Sequence, residues 1–318
     1  MELKQIPEDF IVRERPGFTK NNGHFSIFLL KKRDYTTEKA IQNICRALHI
    51  DRKRVGYAGI KDRHAVTEQY ISIDRVKKDK VDSLKLKDIE LRFISSSRKP
   101  ISLGDLKGNY FEIVVRDLKS SAVINPDVKI KNVFDEQRFS KNNVAIGKLI
   151  IKKDFKKAVD LILEGDGDYE QEVKSFLNQN KNNFIGALRV IPHKLLMLFI
   201  HSYQSHIFNE TINQIDSDEN IRVPMVGFGT EYNDDKIEKI IVKILEKENV
   251  SERDFIVSSI PSLSCEGEMR DLYVQPANLE VGELEKDDLN KGKFKVKIIF
   301  SLQKGAYATN VIKQIVQP

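Results

Sequence analysis

Tyr57-Ala-Gly-Ile-Lys-Asp-Arg-His-Ala-Val-Thr-Glu-Gln-Tyr70 is the stretch on which the fold and chemistry of this chain turn. At its start, Val55 to Ala58 is a run of the kind found in buried strands. At its end, Tyr70-Ile71-Ser72-Ile73 alternates like a half-buried strand. Between the two the chain turns on Gly59 and sets Lys61, Asp62, Arg63 and His64 side by side. A carboxylate between two cations has its charged form favoured, so Asp62 is expected to be an anion at neutral pH. Pattern alone also describes a polar hairpin loop carrying a solvated charge run.

The segments around this stretch read as a mixed fold. Phe10-Ile11-Val12 and Gly23 to Leu30 are strand-like and separated by a turn rich in Asn and Gly. Thr36 and Thr37 read as a helix N-cap, with Glu38 placed for the helix dipole. Ile41, Ile44, Cys45 and Leu48 then recur at helical spacing, which makes Cys45 a core residue rather than a nucleophile. Residues 76–100 read as a loop followed by an alternating strand. Residues 140–260 are mostly helical in pattern: Phe155, Val159 and Ile162 mark one amphipathic helix, a longer one begins near Pro192, and another covers Ile237 to Lys247. His206 reads as a surface or packing residue, because no ligand partners stand at metal spacing. Phe294 to Phe300 alternates as a strand with a basic outer face.

Composition narrows the classes. A chain of 318 residues holds roughly two domains. Lys and Arg outnumber Asp and Glu by 53 to 47, a net charge of +6, which permits nucleic-acid binding without requiring it. Two cysteines, Cys45 and Cys265, make neither a disulfide framework nor a metal motif. The first residues do not read as a signal peptide, no apolar run is long enough to span a membrane, and the expected compartment is the cytoplasm. No P-loop, dinucleotide-binding turn or Cys/His cluster is present in the sequence, so no cofactor and no metal are expected.

Residues 58–69 resemble the signature of the TruD family of tRNA pseudouridine synthases, Ala-Gly-x-Lys-Asp-[Arg/Lys]-x-Ala-Val-Thr-x-Gln. The resemblance makes Asp62 the catalytic carboxylate, with Lys61 and Arg63 beside it at the substrate. Lys4 precedes Pro7-Glu8-Asp9-Phe10 as in the family, which implies a cation close to the site. Gly108-Asn109-Tyr110-Phe111 matches a further motif and implies that Phe111 stacks on the target base with Asn109 nearby. Residues 132–140 resemble an Asn-x-Phe-Gly-x-Gln-Arg-Phe-Gly segment, with Asp135 and Ser140 in place of its glycines; Arg138 there suits a phosphate or a structural contact. Gln303 and Ala306 depart from the family's pattern near the end of the chain. The resemblance implies an α+β fold. Residues 1–129 and 266–318 would form a catalytic domain on a largely antiparallel sheet built from both chain ends, and 130–265 an inserted, mostly helical domain. The implied reaction is isomerisation of uridine to pseudouridine in tRNA, at position 13, with tRNA as the partner and no protein partner inferred. A non-catalytic RNA-binding protein on the same fold, or the same chemistry on another RNA, are the alternatives.

Overall fold

Strand alternation in the outer thirds of the chain assembles one large sheet. In a computed structural model, which describes residues 1–18, 21–139, 142–165 and 167–317, the chain forms two units. One comprises Met1–Ile130 with Gln275–Pro318, the other Lys131–Val274. Ser140 lies outside the described residues.

The sheet belongs to the first unit. Its main strands are β1 (Phe10–Pro16), β2 (Phe25–Arg33), β3 (Val55–Tyr57), β4 (Val66–Asp74), β5 (Ile89–Ser97), β6 (Leu106–Leu118), β7 (Ala277–Val281) and β8 (Phe294–Gln303). They lie in the order β7-β8-β6-β1-β4-β2-β5, with β3 paired to β4. These pairings are antiparallel except that of β1 with β4, which runs parallel from Ile11↔Val66 to Arg13↔Glu68. The largely antiparallel sheet drawn from both chain ends is therefore present.

Helix α1 (Thr37–Leu48) covers one face of that sheet. Thr36 caps it, accepting from the Lys39 amide at 3.2 Å, and the helix ends at His49 in the left-handed region. Ile41, Ile44 and Cys45 pack against Phe28 and Leu30 of β2 and Ile71 and Ile73 of β4. Each large apolar side chain buried in this way contributes about 1.5–3 kcal/mol. Cys45 is a core residue, and burial pushes its thiol up. The two-residue period that points Phe28 and Leu30 at α1 also buries Lys32. The 76–100 segment differs in one respect from its expected loop and strand: Lys78–Asp82 is a short helix that anchors Val81 in the same core. With one apolar residue in five, it shows no periodicity to read.

The second unit is mostly helical: Asn143–Ile151, Phe155–Ile162, Asp168–Gln179, Phe184–Arg189, α2 (His193–Asn213) and Asp235–Glu248. Pro192 immediately precedes α2, whose Leu196, Phe199, Ile200, Tyr203 and Ile207 are buried. Gly147 lets the helix Asn143–Ile151 meet α2 closely, since a Cβ there would stand 2.1 Å from the Phe199 carbonyl oxygen. His206 packs near Tyr203, ring centres 6.3 Å apart. A strand pair unseen in the sequence, Arg222–Met225 with Glu268–Asp271, belongs to this unit. No helix among the described residues is long and apolar enough to cross a membrane.

Candidate active site around Asp62

Strand register builds the floor of the site. β1 and β6 pair with Val12 opposite Phe111 and Glu14 opposite Asn109. Residues directly opposite share a face, so Phe10, Val12 and Glu14 stand beside Ile113, Phe111 and Asn109. The row is apolar until its last pair, where a carboxylate meets an amide. Lys61 reaches into that polar end: its Nζ lies 2.8 Å from Glu14 Oε2 and donates to Asn109 Oδ1 at 2.6 Å. Both charged side chains are almost wholly buried. The other Glu14 oxygen accepts from the Tyr70 amide at 3.1 Å.

The loop backbone is held on both sides of Lys61. The Lys61 amide donates to Thr37 Oγ1 at 2.9 Å, the Thr37 hydroxyl donates to Gln69 Oε1 at 2.9 Å, and Gln69 Nε2 donates to the Gly59 carbonyl at 3.1 Å. The buried Lys32 ammonium donates to the Asp62 carbonyl at 2.7 Å and to the Tyr35 carbonyl at 2.5 Å. Burial lowers the Lys32 pKa to about 8, partly offset by the Asp62 charge.

With its backbone fixed, Asp62 turns its carboxylate outward, its side chain 37% exposed, where Lys4 Nζ donates to Oδ1 at 2.9 Å. Lys4 takes a left-handed backbone, φ 62°, which is uncommon outside glycine and is often held in place at functional sites. Its ammonium sits 4.1 Å from the centre of the Phe10 ring, a cation–π contact. Phe10 meets Phe111 edge to face at 6.1 Å, and Phe111 stacks on Phe300 at 5.5 Å. Phe111 is 6% exposed, so it stands in an aromatic wall behind Lys4 rather than in the open.

Of the residues singled out from the sequence, Asp62, Lys4, Lys61 and Asn109 converge, and Phe111 adjoins them through Phe10. Arg63 is exposed, and no side-chain hydrogen bond or ion pair engages it among the described residues. His64 faces Asp34 at 3.2 Å. Arg138 is in the second unit, 5.7 Å from the Phe134 ring and near Ser205, its Nε 3.4 Å from Oγ. Glu14, Lys32, Gln69 and the bridging role of Thr37 were not foreseen. For Glu14 and Lys32 the signal was parity: each is a charge in step with buried apolar neighbours on its strand. Among the described residues, no group of three or more His, Cys, Asp or Glu is arranged to hold a metal.

A sequence profile of the family described as tRNA pseudouridine synthase D (TruD) matches residues 1–175, 163–220 and 215–315. A Thermococcus onnurineus protein named probable tRNA pseudouridine synthase D is 32% identical over 402 aligned positions, covering 99% of this chain and 94% of the relative. That alignment is longer than the 318-residue chain, so the relative carries segments absent here. Probable tRNA pseudouridine synthase D 2 of Methanocaldococcus jannaschii is 31% identical, with 99% and 91% covered. A crystal structure from Methanosarcina mazei, described as TruD, superposes with a TM-score of 0.75 at 26% identity, covering 99% of this chain and 93% of that one. With the profile spanning nearly its full length, the chain belongs to the tRNA pseudouridine synthase D family.

Proposed function

We propose that this chain isomerises uridine to pseudouridine in tRNA, at position 13, with Asp62 as the catalytic carboxylate. The observation that carries this reading is a solvent-facing carboxylate beside the Lys4 ammonium, on a loop whose backbone is fixed by buried partners. Such anchoring is what a reacting group needs, because displacement by an ångström forfeits much of the rate.

The reaction breaks the N1–C1′ bond, turns the uracil, and joins C5 to C1′; C5 loses its proton and N1 gains one. Asp62 serves either as the nucleophile at C1′ or as the base that removes a ribose proton. In both routes the departing uracil carries negative charge, and Lys4, already at the carboxylate, is placed to stabilise it. Lys61 and Asn109 lie beneath the loop, so in this reading they position Asp62 and do not touch the base. Phe111 is the stacking ring in this reading, and with so little of it exposed the base must part the Phe10 side of the wall to reach it. Arg63 contacts the phosphate backbone, which makes binding weaken with salt. The first unit is the catalytic domain and the inserted residues contact RNA; the compartment is the cytoplasm.

The test is to incubate an unmodified tRNA transcript with the chain and map pseudouridine by carbodiimide-dependent reverse-transcription stops. The expected result is one new stop, immediately 3′ of position 13, where the reverse transcriptase halts before the modified base. A stop elsewhere rejects the assigned position. Binding with no stop at all leaves an RNA-binding protein without this activity.

A further inference from the structure

Two residues before Asp62 the chain does something that costs solvation. Ile60 is 77% exposed, the highest value among the exposed large apolar side chains described. Its mount is rigid: the Gly59 carbonyl on one side is held by Gln69, and the Lys61 amide on the other by Thr37. A second exposed apolar residue, Leu103, at 58%, sits on an adjoining turn tied to the same segment, since the Gly104 amide donates to the Ala58 carbonyl at 2.8 Å. Across this loop the side chains alternate in character. Ile60 projects apolar surface, Lys61 turns inward, Asp62 faces solvent beside Lys4, and the Arg63 side chain extends without a partner among the described residues.

We infer that Ile60, supported by Leu103, is a wedge that enters the base stack of the RNA and fills the gap left by the everted uridine. This rests on the proposed reaction. A base inside folded RNA must leave its stack before its glycosidic bond can be reached. Proteins that unstack bases insert apolar side chains into the opened step, because an unfilled gap exposes base faces to water. Ile60 has the required properties together: an apolar tip, a backbone that does not yield, and a place on the same short loop as the carboxylate that the everted nucleotide must meet. Arg63, on the other side of Asp62, suits a flanking phosphate, so the loop offers its contacts in the order stack, ribose, backbone. No fold requirement explains Ile60, since a polar residue at that exposure would leave the core unchanged.

The test uses the full chain with a tRNA carrying 2-aminopurine beside the target uridine. Ile60→Ala is expected to lower kcat about tenfold and to suppress the rise in 2-aminopurine fluorescence on binding, because the flipped state is less populated. Affinity for tRNA should stay within about threefold, since phosphate contacts carry most of it. Ile60→Met, which keeps an apolar tip, should restore most of the turnover; Leu103→Ala should show a smaller loss of the same kind. Turnover by Ile60→Ala within about twofold of the wild type, or an unchanged fluorescence rise, overturns the wedge while leaving the proposed reaction intact. If the wild type itself forms no pseudouridine, both fall.

Discussion

The 59–64 loop and three buried hydroxyls of helix α2 differ in where their partners come from: the loop draws on distant elements, while each hydroxyl has an acceptor within its own helix. In α2 the Ser202, Ser205 and Thr211 hydroxyls each donate to the carbonyl four residues back, at 2.7, 2.6 and 2.8 Å. Those bonds are available in any helix and need nothing from the rest of the chain. The loop takes its partners from Lys4, Glu14, Lys32, Thr37, Gln69 and Asn109, contributed by separate elements of the first unit. Three of these groups, counting Lys61, are buried charges: Glu14, Lys32 and Lys61. A buried ion pair adds little net stability over a well-packed apolar pair, because desolvation offsets the attraction. Stability therefore does not explain why the sheet spends three core positions on charge beneath one loop. Holding Asp62 does.

The contrast can be broken by substitution. Lys61→Met strands the Glu14 carboxylate in the core and is expected to lower the free energy of unfolding by about 3–5 kcal/mol in a urea titration. The double variant Glu14→Gln/Lys61→Met should lose less than the two single losses added together. Full additivity would mean the pair does not interact as drawn.

Lys32 gives an intermediate effect with a definite sign. Its folded pKa is about 8, whereas an unfolded lysine titrates at ~10.4. Between those values the unfolded chain binds more protons, so stability should rise with pH through that window. The whole burial penalty is present below pH 8 and is relieved as the pH climbs towards the unfolded value. Relative to Lys32→Met, the wild type should gain roughly 1–3 kcal/mol from pH 7.5 to pH 10. A difference between the two proteins that stays flat with pH would contradict it.

The smallest effect belongs to α2. Thr211→Val removes a hydroxyl whose one hydrogen-bond partner among the described residues is the Ile207 carbonyl of its own helix, so the change should stay within about 1 kcal/mol with turnover unaltered. A loss as large as that of Lys61→Met would erase the distinction between the two regions.

The sequence made visible what local periodicity controls and missed what register controls. Ile41, Ile44 and Cys45 announced a one-sided helix, and Phe28 and Leu30 announced the strand beneath it. Lys32 stands inside Lys31-Lys32-Arg33, a charged triplet with no local sign of burial, and strand parity alone turns it inward. Lys61 and Asp62 are neighbours in the chain and divide their tasks, one reaching into the core and the other facing out. That division depends on Glu14 and Asn109 standing opposite each other on strands nearly a hundred residues apart, which no window of sequence contains. The Arg222–Met225 strand escaped for a simpler reason: four residues with Pro224 among them carry no alternation to read.

The most direct measurement compares wild type with Asp62→Asn on the same tRNA transcript, following both binding and pseudouridine formation. Asparagine keeps the shape and can still accept from Lys4, so the loop and its buried anchors stay in place. The prediction is tRNA affinity close to that of the wild type and no detectable pseudouridine. Equal product from the two proteins would mean that the carboxylate held by this network is not the group that does the chemistry.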